Sequence, residues 1–393
     1  METGERGNNY FNFSESEWRK LQGLLESGAL SAGSRTSCYF FWRNRLEKEF
    51  AKKWGARFAV SFNSETSSIH AALAALGAGN NSQIITSPLT CYSTVTPMFQ
   101  LGCIPVFCDV EEETLALDPE KLEKLINPKT SAVIATYLYG LPVNIKKIKK
   151  ICRQHQIPLI EDCAHVPGLE MGKKPAGSFG DIGCFSFAQE KMLSCGEGGM
   201  AVTSNKKMAE KMTWFRESGR KAFRKYEPYG LNYRMTEVTA FLALRVLNRL
   251  PARIKRQRKI AGIYFQKKLP SFITAQNQDP KCLPSVCLFK TSHNAPQLAQ
   301  RLIRKGVDAK DIYAPLNQCN VFQNRQLLNQ ALWRDPVKVK VFKRQNQPTP
   351  VAQMAADQYF YLEISPLQSM RQHERQAAAF ETNINKSGFT SRI

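Results

Sequence analysis

Three short stretches of this chain hold residues of the types that do chemistry. Lys191 stands in CFSFAQEKMLSCGEGG, a polar turn between two apolar runs, with Ser186 ahead of it in the same stretch. An amine delivered to a fixed point by rigid strands on both sides suits covalent capture of a carbonyl group. Asp162 follows an apolar run in LIEDCAH. A carboxylate placed there needs a partner, and a protonated ring nitrogen is one: a nearby cation keeps the acid ionised, and the acid keeps the ring protonated. NSETSS, residues 63–68, runs into a helix pattern rich in Ala and Leu. Small hydroxyl residues at a helix N-terminus make a cradle for phosphate, because the first backbone N–H groups have no partner within the helix. Each stretch also has an ordinary reading. Residues 63–68 cap a helix, Asp162 caps the next one, and Lys191 is one of 55 basic residues, most of which are solvated.

The elements that must position these residues alternate. RFAVSF (57–62), QIITSP (83–88), PVFCD (105–109), SAVIAT (131–136) and IPLIE (157–161) read as strands. Helix patterns lie between them, at 64–77, from Asp118-Pro119 and from Asn144. This alternation predicts an α/β protein with a parallel sheet covered on both faces, and such sheets bind ligands at the carboxyl ends of their strands. DIGCFSF (181–187) and GMAVTS (199–204) are two further strands, joined by the longer turn that holds Lys191. Ahead of the alternating stretch, 14–27 reads as an amphipathic helix capped by Ser14, 28–37 as a loop and 43–54 as a helix. Helices dominate from Asn205 to about Lys268, and 295–306 is another helix in a smaller α+β segment. The stretch 321–357 is polar, with many Gln and Asn. The domain boundary is expected near 250, giving a large domain over 1–250 with an N-terminal helical segment and a small C-terminal domain over 251–393.

Composition bounds the function. Hydrophobic residues make up 43% of 393 residues, enough for a large core plus a smaller one. No apolar run reaches the roughly 18–20 residues of a membrane span, and METGERGNNYFNF lacks the apolar core of a secretory signal. Eleven cysteines, scattered and odd in number, suit reduced thiols in a cytoplasm. With no C-x-x-C pair and five histidines, no metal site is expected. The net charge of +22 is spread over helical stretches such as 145–153, 206–211 and 253–268 rather than gathered in one block. It therefore argues for an anionic small-molecule substrate over nucleic acid.

In order, NSETSSIHAAL, PLTCYST, LIEDCAH, GDIGCFSFAQEKMLSCGEGGMAVTS and GLNYRMTE resemble the DegT/DnrJ/EryC1/StrS family of sugar aminotransferases, which use pyridoxal 5′-phosphate (PLP). The resemblance is strong over residues 15–250 and weaker beyond, where KGVDAKDIYAPLNQ and ISPLQSM look like the family's C-terminal elements. It implies the aspartate aminotransferase-like fold, PLP-dependent transferase type I: a mostly parallel sheet in a large domain and a smaller α+β domain. It implies that Lys191 is the cofactor's covalent anchor and catalytic base. Asp162 then pairs with the pyridinium nitrogen, and His165 lies near the phenolic oxygen. Ser186 and the backbone around Thr66 and Ser67 hold the phosphate, and Asn232 reaches the phosphate of a neighbouring subunit. Arg234 is a candidate for holding a substrate anion. The implied reaction is ping-pong: an amino-acid donor, usually glutamate, gives its amino group to a keto-sugar, normally nucleotide-linked, in a homodimer with shared sites.

The sequence departs from the family pattern at four places. Glu65 stands where a small residue is usual. Cys91 occupies the cofactor-site position where an aromatic residue often stacks on the ring, with Tyr92 beside it. Tyr137 replaces a common His ahead of Tyr139-Gly140, and the C-terminal domain looks shortened around 271–290. The first two bear on cofactor geometry and the others on substrate choice. Two other readings remain: a dehydratase or lyase on the same fold, opposed by Lys191 because family members with that chemistry lack it, and a PLP-fold binding or regulatory protein without turnover.

Overall fold

The computed structural model describes residues 11, 13–31, 41–222, 224–332, 334–365 and 368–386. The alternating stretch builds a seven-stranded sheet. Across it the strands run Phe58–Phe62, Gly199–Thr203, Ile182–Ser186, Leu159–Asp162, Thr130–Thr136, Gln83–Thr86 and Ile104–Phe107. Gly199–Thr203 runs antiparallel to both neighbours, and the other pairings are parallel. The strands Gln83–Thr86, Ile104–Phe107 and Ile182–Ser186 are buried along their whole length because helices cover both faces, which is why they read as continuous apolar runs.

The register alone gathers the three chemical stretches. Gly199 pairs with Phe62 on one side and Ser186 on the other. The turn holding Lys191 therefore ends beside the end of the first strand, where Asn63 and Ser64 follow. Asp162 pairs with Cys184 and with Thr136, so its carboxylate emerges at the same edge.

Local signals set the helix starts. Ser14 forms a reciprocal capping box with Glu17 at the head of Glu15–Glu26. Asp118 caps Pro119–Leu125, and Ser64 caps Glu65–Ala75 by accepting from the Ser67 N–H. Asn144 precedes Ile145–Gln154 but makes no side-chain cap bond. Of the loop expected at 28–37, residues 32–37 lie outside the described residues.

A second sheet of four antiparallel strands comprises Ile273–Ala275, Val286–Thr291, Tyr359–Glu363 and Ala309–Asp311. Its core joins Phe289 and Phe360 to Tyr264, Leu298 and Phe380 from helices Leu250–Phe265, Ala295–Arg304 and Met370–Ile384. The polar stretch after 320 forms short helices with few buried apolar residues. Phe322, Leu328 and Phe342 pack with Ile104 and Phe107 at the edge of the large sheet. Burying each such side chain is worth about 1.5–3 kcal/mol, so sparse apolar residues suffice.

The two sheets meet at Tyr139 and Gly140. Gly140 has φ +82, and a Cβ there would lie 1.9 Å from the Leu283 carbonyl oxygen. Gly140→Ala combines overpacking with the left-handed backbone penalty and is expected to destabilise the protein by about 2–4 kcal/mol, read from the denaturant midpoint. An unchanged midpoint would mean that the segments do not approach this closely.

Candidate functional site

Ser64, Glu65, Thr66, Cys91, Asp162, His165, Ser186 and Lys191 line one cavity of about 170 Å³ at the carboxyl edge of the large sheet. An adjoining hollow of about 360 Å³ shares His165, Lys191 and Tyr313 with it and opens toward Gln257, Lys310 and Glu363 of the second sheet and its helix. The cavity holds the catalytic candidates, and the hollow is the larger space beside them.

Asp162 is 3% exposed. Its Oδ2 accepts from the Thr94 hydroxyl at 2.9 Å and from that of Thr136 at 3.5 Å, and its Oδ1 accepts from the Ala164 N–H at 3.3 Å. Burial pushes its pKa up, while Thr94 and Lys191 oppose the rise. A cationic ring N–H would remove that cost. Thr94 and Thr136 were not singled out from the sequence. The signal available for Thr136 is a hydroxyl residue at the end of an apolar strand, beside the strand that ends in Asp162.

His165 Nδ1 accepts the Tyr139 N–H at 3.2 Å. The imidazole proton is therefore on Nε2, leaving a donor for the cavity. Burial, and then the nearby Lys191, hold its pKa well below the usual histidine range. The ring is expected to show the neutral Nε2–H pattern in ¹⁵N spectra from about pH 5 to 8; a titration inside that window would contradict this. Tyr139 itself has φ +53, a conformation that costs about 1–3 kcal/mol for a non-glycine residue. Three contacts hold it there: its N–H to His165, its carbonyl accepting from Asn277 Nδ2 at 2.6 Å, and its hydroxyl accepting from the Tyr313 N–H at 2.9 Å. Tyr139 and Tyr313 stack at 6.0 Å, and His165 and Tyr313 at 6.4 Å. Residues from distant parts of the chain make this wall, so no local pattern revealed it.

Lys191 sits in a turn closed by hydrogen bonds from its own N–H to the Ala188 carbonyl and from the Ser194 N–H to its carbonyl, both 3.0 Å. The Phe187 N–H bonds to the Gly198 carbonyl at 2.9 Å and closes the base of the loop. The ammonium lies 3.4 Å from Glu190. Ser186 Oγ accepts the Ala188 N–H at 3.3 Å. Gly199 lets the phosphate-type cradle approach: a Cβ there would lie 2.3 Å from the Ser64 carbonyl oxygen and 2.5 Å from the Glu65 nitrogen.

Other expected residues are placed differently. Ser67 is buried and its hydroxyl is committed to Asn63 Oδ1 at 2.7 Å and to Ser64 Oγ at 2.9 Å; it does not line the cavity. Asn232 is exposed and, like Arg234, lines neither hollow of its own chain. Arg234 lies 3.5 Å from Glu217 in an ion pair. Cys91 is exposed, accepts from Ser93 Oγ at 2.9 Å and hydrogen-bonds Tyr313. Tyr92 is 40% exposed and points to Phe99, so Tyr313 is the aromatic side chain beside Cys91. Tyr137 turns to the opposite face of the sheet, where its hydroxyl donates to Glu161 Oε2 at 2.7 Å. Its side chain thus supports the sheet behind the site, while the residue lines the smaller cavity and not the adjoining hollow. Glu161 also accepts from the Gly177, Phe179 and Gly180 N–H groups.

The donor set fits PLP. A buried carboxylate with hydroxyl donors, a neutral imidazole N–H, a lysine amine and a helix N-terminus with a serine beside it converge on one cavity. Lys191, Asp162, His165, Ser186 and the Thr66 backbone would hold it. Among the described residues no cluster of His, Cys, Asp or Glu is arranged to hold a metal, and no helix is long and apolar enough to cross a membrane.

Comparison with known proteins agrees with this geometry. Residues 13–374 match the DegT/DnrJ/EryC1/StrS aminotransferase family. The spore coat polysaccharide biosynthesis protein SpsC of Bacillus subtilis is 36% identical over 273 residues, 66% of this chain and 68% of that protein. The GDP-perosamine synthase of Vibrio cholerae is 33% identical over 250 residues, 63% of this chain and 66% of that protein. The matched stretches thus span about two thirds of these relatives. Among solved structures, DesI with its TDP-sugar product superposes with a TM-score of 0.81 at 22% identity, covering 97% of this chain and 91% of that one. The family match over nearly the whole chain and the fold shared at low identity lead to one conclusion: the chain belongs to the DegT/DnrJ/EryC1/StrS aminotransferase family.

Proposed function

We propose that this protein is a PLP-dependent aminotransferase of amino-sugar biosynthesis, taking an amino group from glutamate and passing it to a nucleotide-linked keto-sugar. The observation that carries the reading is the convergence of Lys191 and Asp162 on one cavity. When bound, PLP supplies an electron sink for the carbon that loses or gains the amino group. The protein's residues do the rest. Lys191 Nζ would take the proton from the carbon that loses the amino group, and return one to the carbon that gains it. Asp162 would keep a proton on the ring nitrogen, and Thr94 and Thr136 fix its carboxylate. The His165 Nε2–H, with its ring held by the Tyr139 N–H, would donate to the phenolic oxygen. Thr66 and Ser186 supply the phosphate cradle.

The adjoining hollow, with Tyr313, Lys310 and Gln257, is the space for the sugar and its nucleotide. Relatives named for GDP-perosamine synthesis and a structure holding a TDP-sugar product support a nucleotide-linked substrate. The protein works as a cytoplasmic homodimer in this reading. Asn232 can serve a partner's phosphate because it is exposed and does not line its own cavity. Ten free cysteines among the described residues suit a reducing compartment. The test is formation of 2-oxoglutarate from glutamate by the PLP-loaded protein, then amination of a panel of nucleotide-linked keto-sugars. No 2-oxoglutarate in the first half-reaction would overturn the reading.

A further inference from the structure

Glu65 is the first residue of the helix Glu65–Ala75, and its backbone N–H belongs to the anion cradle. Its side chain does not turn away to solvent. It enters the cavity and hydrogen-bonds the Asp162 carboxylate, with Lys191 and Cys91 facing it. Its Oε1 is buried with no hydrogen-bond partner. The buried thiols of Cys163 and Cys184 lie close by. Two carboxyl groups in contact cannot both be ionised at low cost, so one proton joins them. Burial and the neighbouring Asp162 push the Glu65 pKa well up, so the shared proton lets Glu65 act as a donor to Asp162.

A protonated carboxyl donating to Asp162 makes the same bond that a ring N–H would make. The two donors need the same acceptor in the same space. The cavity, with Glu65 as one wall, measures about 170 Å³, whereas ligand pockets run from roughly 300 Å³ upward. A phosphate arriving at the helix N-terminus would also meet Glu65 as a neighbour that repels it once ionised.

We propose that Glu65 is a built-in competitor of the cofactor: in the cofactor-free protein its carboxyl occupies the hydrogen-bond site on Asp162, and the cofactor must displace it to bind. The proposal rests on the reading of this cavity as the PLP site. It makes Glu65 a positioning residue that sets cofactor affinity. Loading is a substitution of one donor by another, and the protein without cofactor keeps Asp162 satisfied.

The test uses the cofactor-free full chain in four forms: wild type, Glu65→Ala, Glu65→Ser and Glu65→Gln. Each is titrated calorimetrically with PLP and with 4′-deoxypyridoxine phosphate, which has no aldehyde to react with Lys191. Glu65→Ala and Glu65→Ser should bind both ligands about tenfold tighter or better, a difference of about 1.4 kcal/mol. Glu65→Gln should stay within about threefold of wild type, because its amide N–H still donates to Asp162. Two removal variants guard against one that fails to fold, checked by circular dichroism. Unchanged or weaker binding in the folded removal variants would overturn the proposal while leaving the PLP reading intact. Equal tightening in Glu65→Gln would overturn it too, since charge and not occupancy would then be the cause. If neither wild type nor any variant binds either ligand, the PLP reading itself falls, and this proposal with it.

Discussion

Lys191→Ala is expected to lower turnover by about 10³-fold or more, near the upper part of the range for a lost general acid–base group. The loss is one of function and not of stability. The side chain is 16% exposed, and its 3.4 Å ion pair is with Glu190, itself 61% exposed. Such a pair is worth about 0–1 kcal/mol. The turn is held by backbone bonds that alanine preserves, Lys191 N–H to Ala188 and Ser194 N–H to Lys191. The melting temperature should therefore move little while kcat collapses. Lys191→Arg should be as inactive, because a guanidinium does not give up its proton in the working pH range. Near-normal turnover in either variant would remove Lys191 from the chemistry.

Asp162→Asn is expected to cost about 10²–10³-fold in kcat, the scale of losing one preorganised electrostatic partner, with covalent loading at Lys191 retained. The carboxylate accepts from Thr94, Thr136 and Ala164. An amide can satisfy some of these donors through its oxygen, but then its NH₂ faces the position where a ring nitrogen must be kept protonated. The negative charge that favours the cation is gone. The visible absorption of the loaded protein should persist, and glutamate-dependent turnover should fall. Turnover within about threefold of wild type would show that the ring is held protonated by something else.

Much of this was legible in the sequence because it depends on local period and order. The strands from 57 to 136 read as apolar runs because helices bury both faces of them. Ser14, Ser64 and Asp118 cap the helices they precede. The turn holding Lys191 was legible because two strand patterns bracket it. The pairing of Gly199 with both Phe62 and Ser186 was not, since register is set between strands and not along one. Strand alternation sends Thr136 and Asp162 to one face and Tyr137 and Glu161 to the other, which separates Tyr137 from the substrate space. Ser67 was expected to offer backbone to a phosphate by resemblance; that its N–H bonds Ser64 Oγ and its hydroxyl bonds Asn63 is a structural detail no motif shows. Tyr313 and Asn277 complete the wall around Tyr139 from far along the chain, and nothing in their local sequence announces a contact there. Glu65 was visible as an oddity, but only its position beside Asp162 turned it into a chemical group with a role.

The most direct test of the account is where the cofactor attaches. The PLP-loaded protein is reduced with borohydride, digested and mapped by mass spectrometry. The account predicts one dominant pyridoxyl-phosphate adduct, on Lys191, absent from Lys191→Ala. An adduct centred on another lysine, or equal low labelling of many lysines in both proteins, would contradict it.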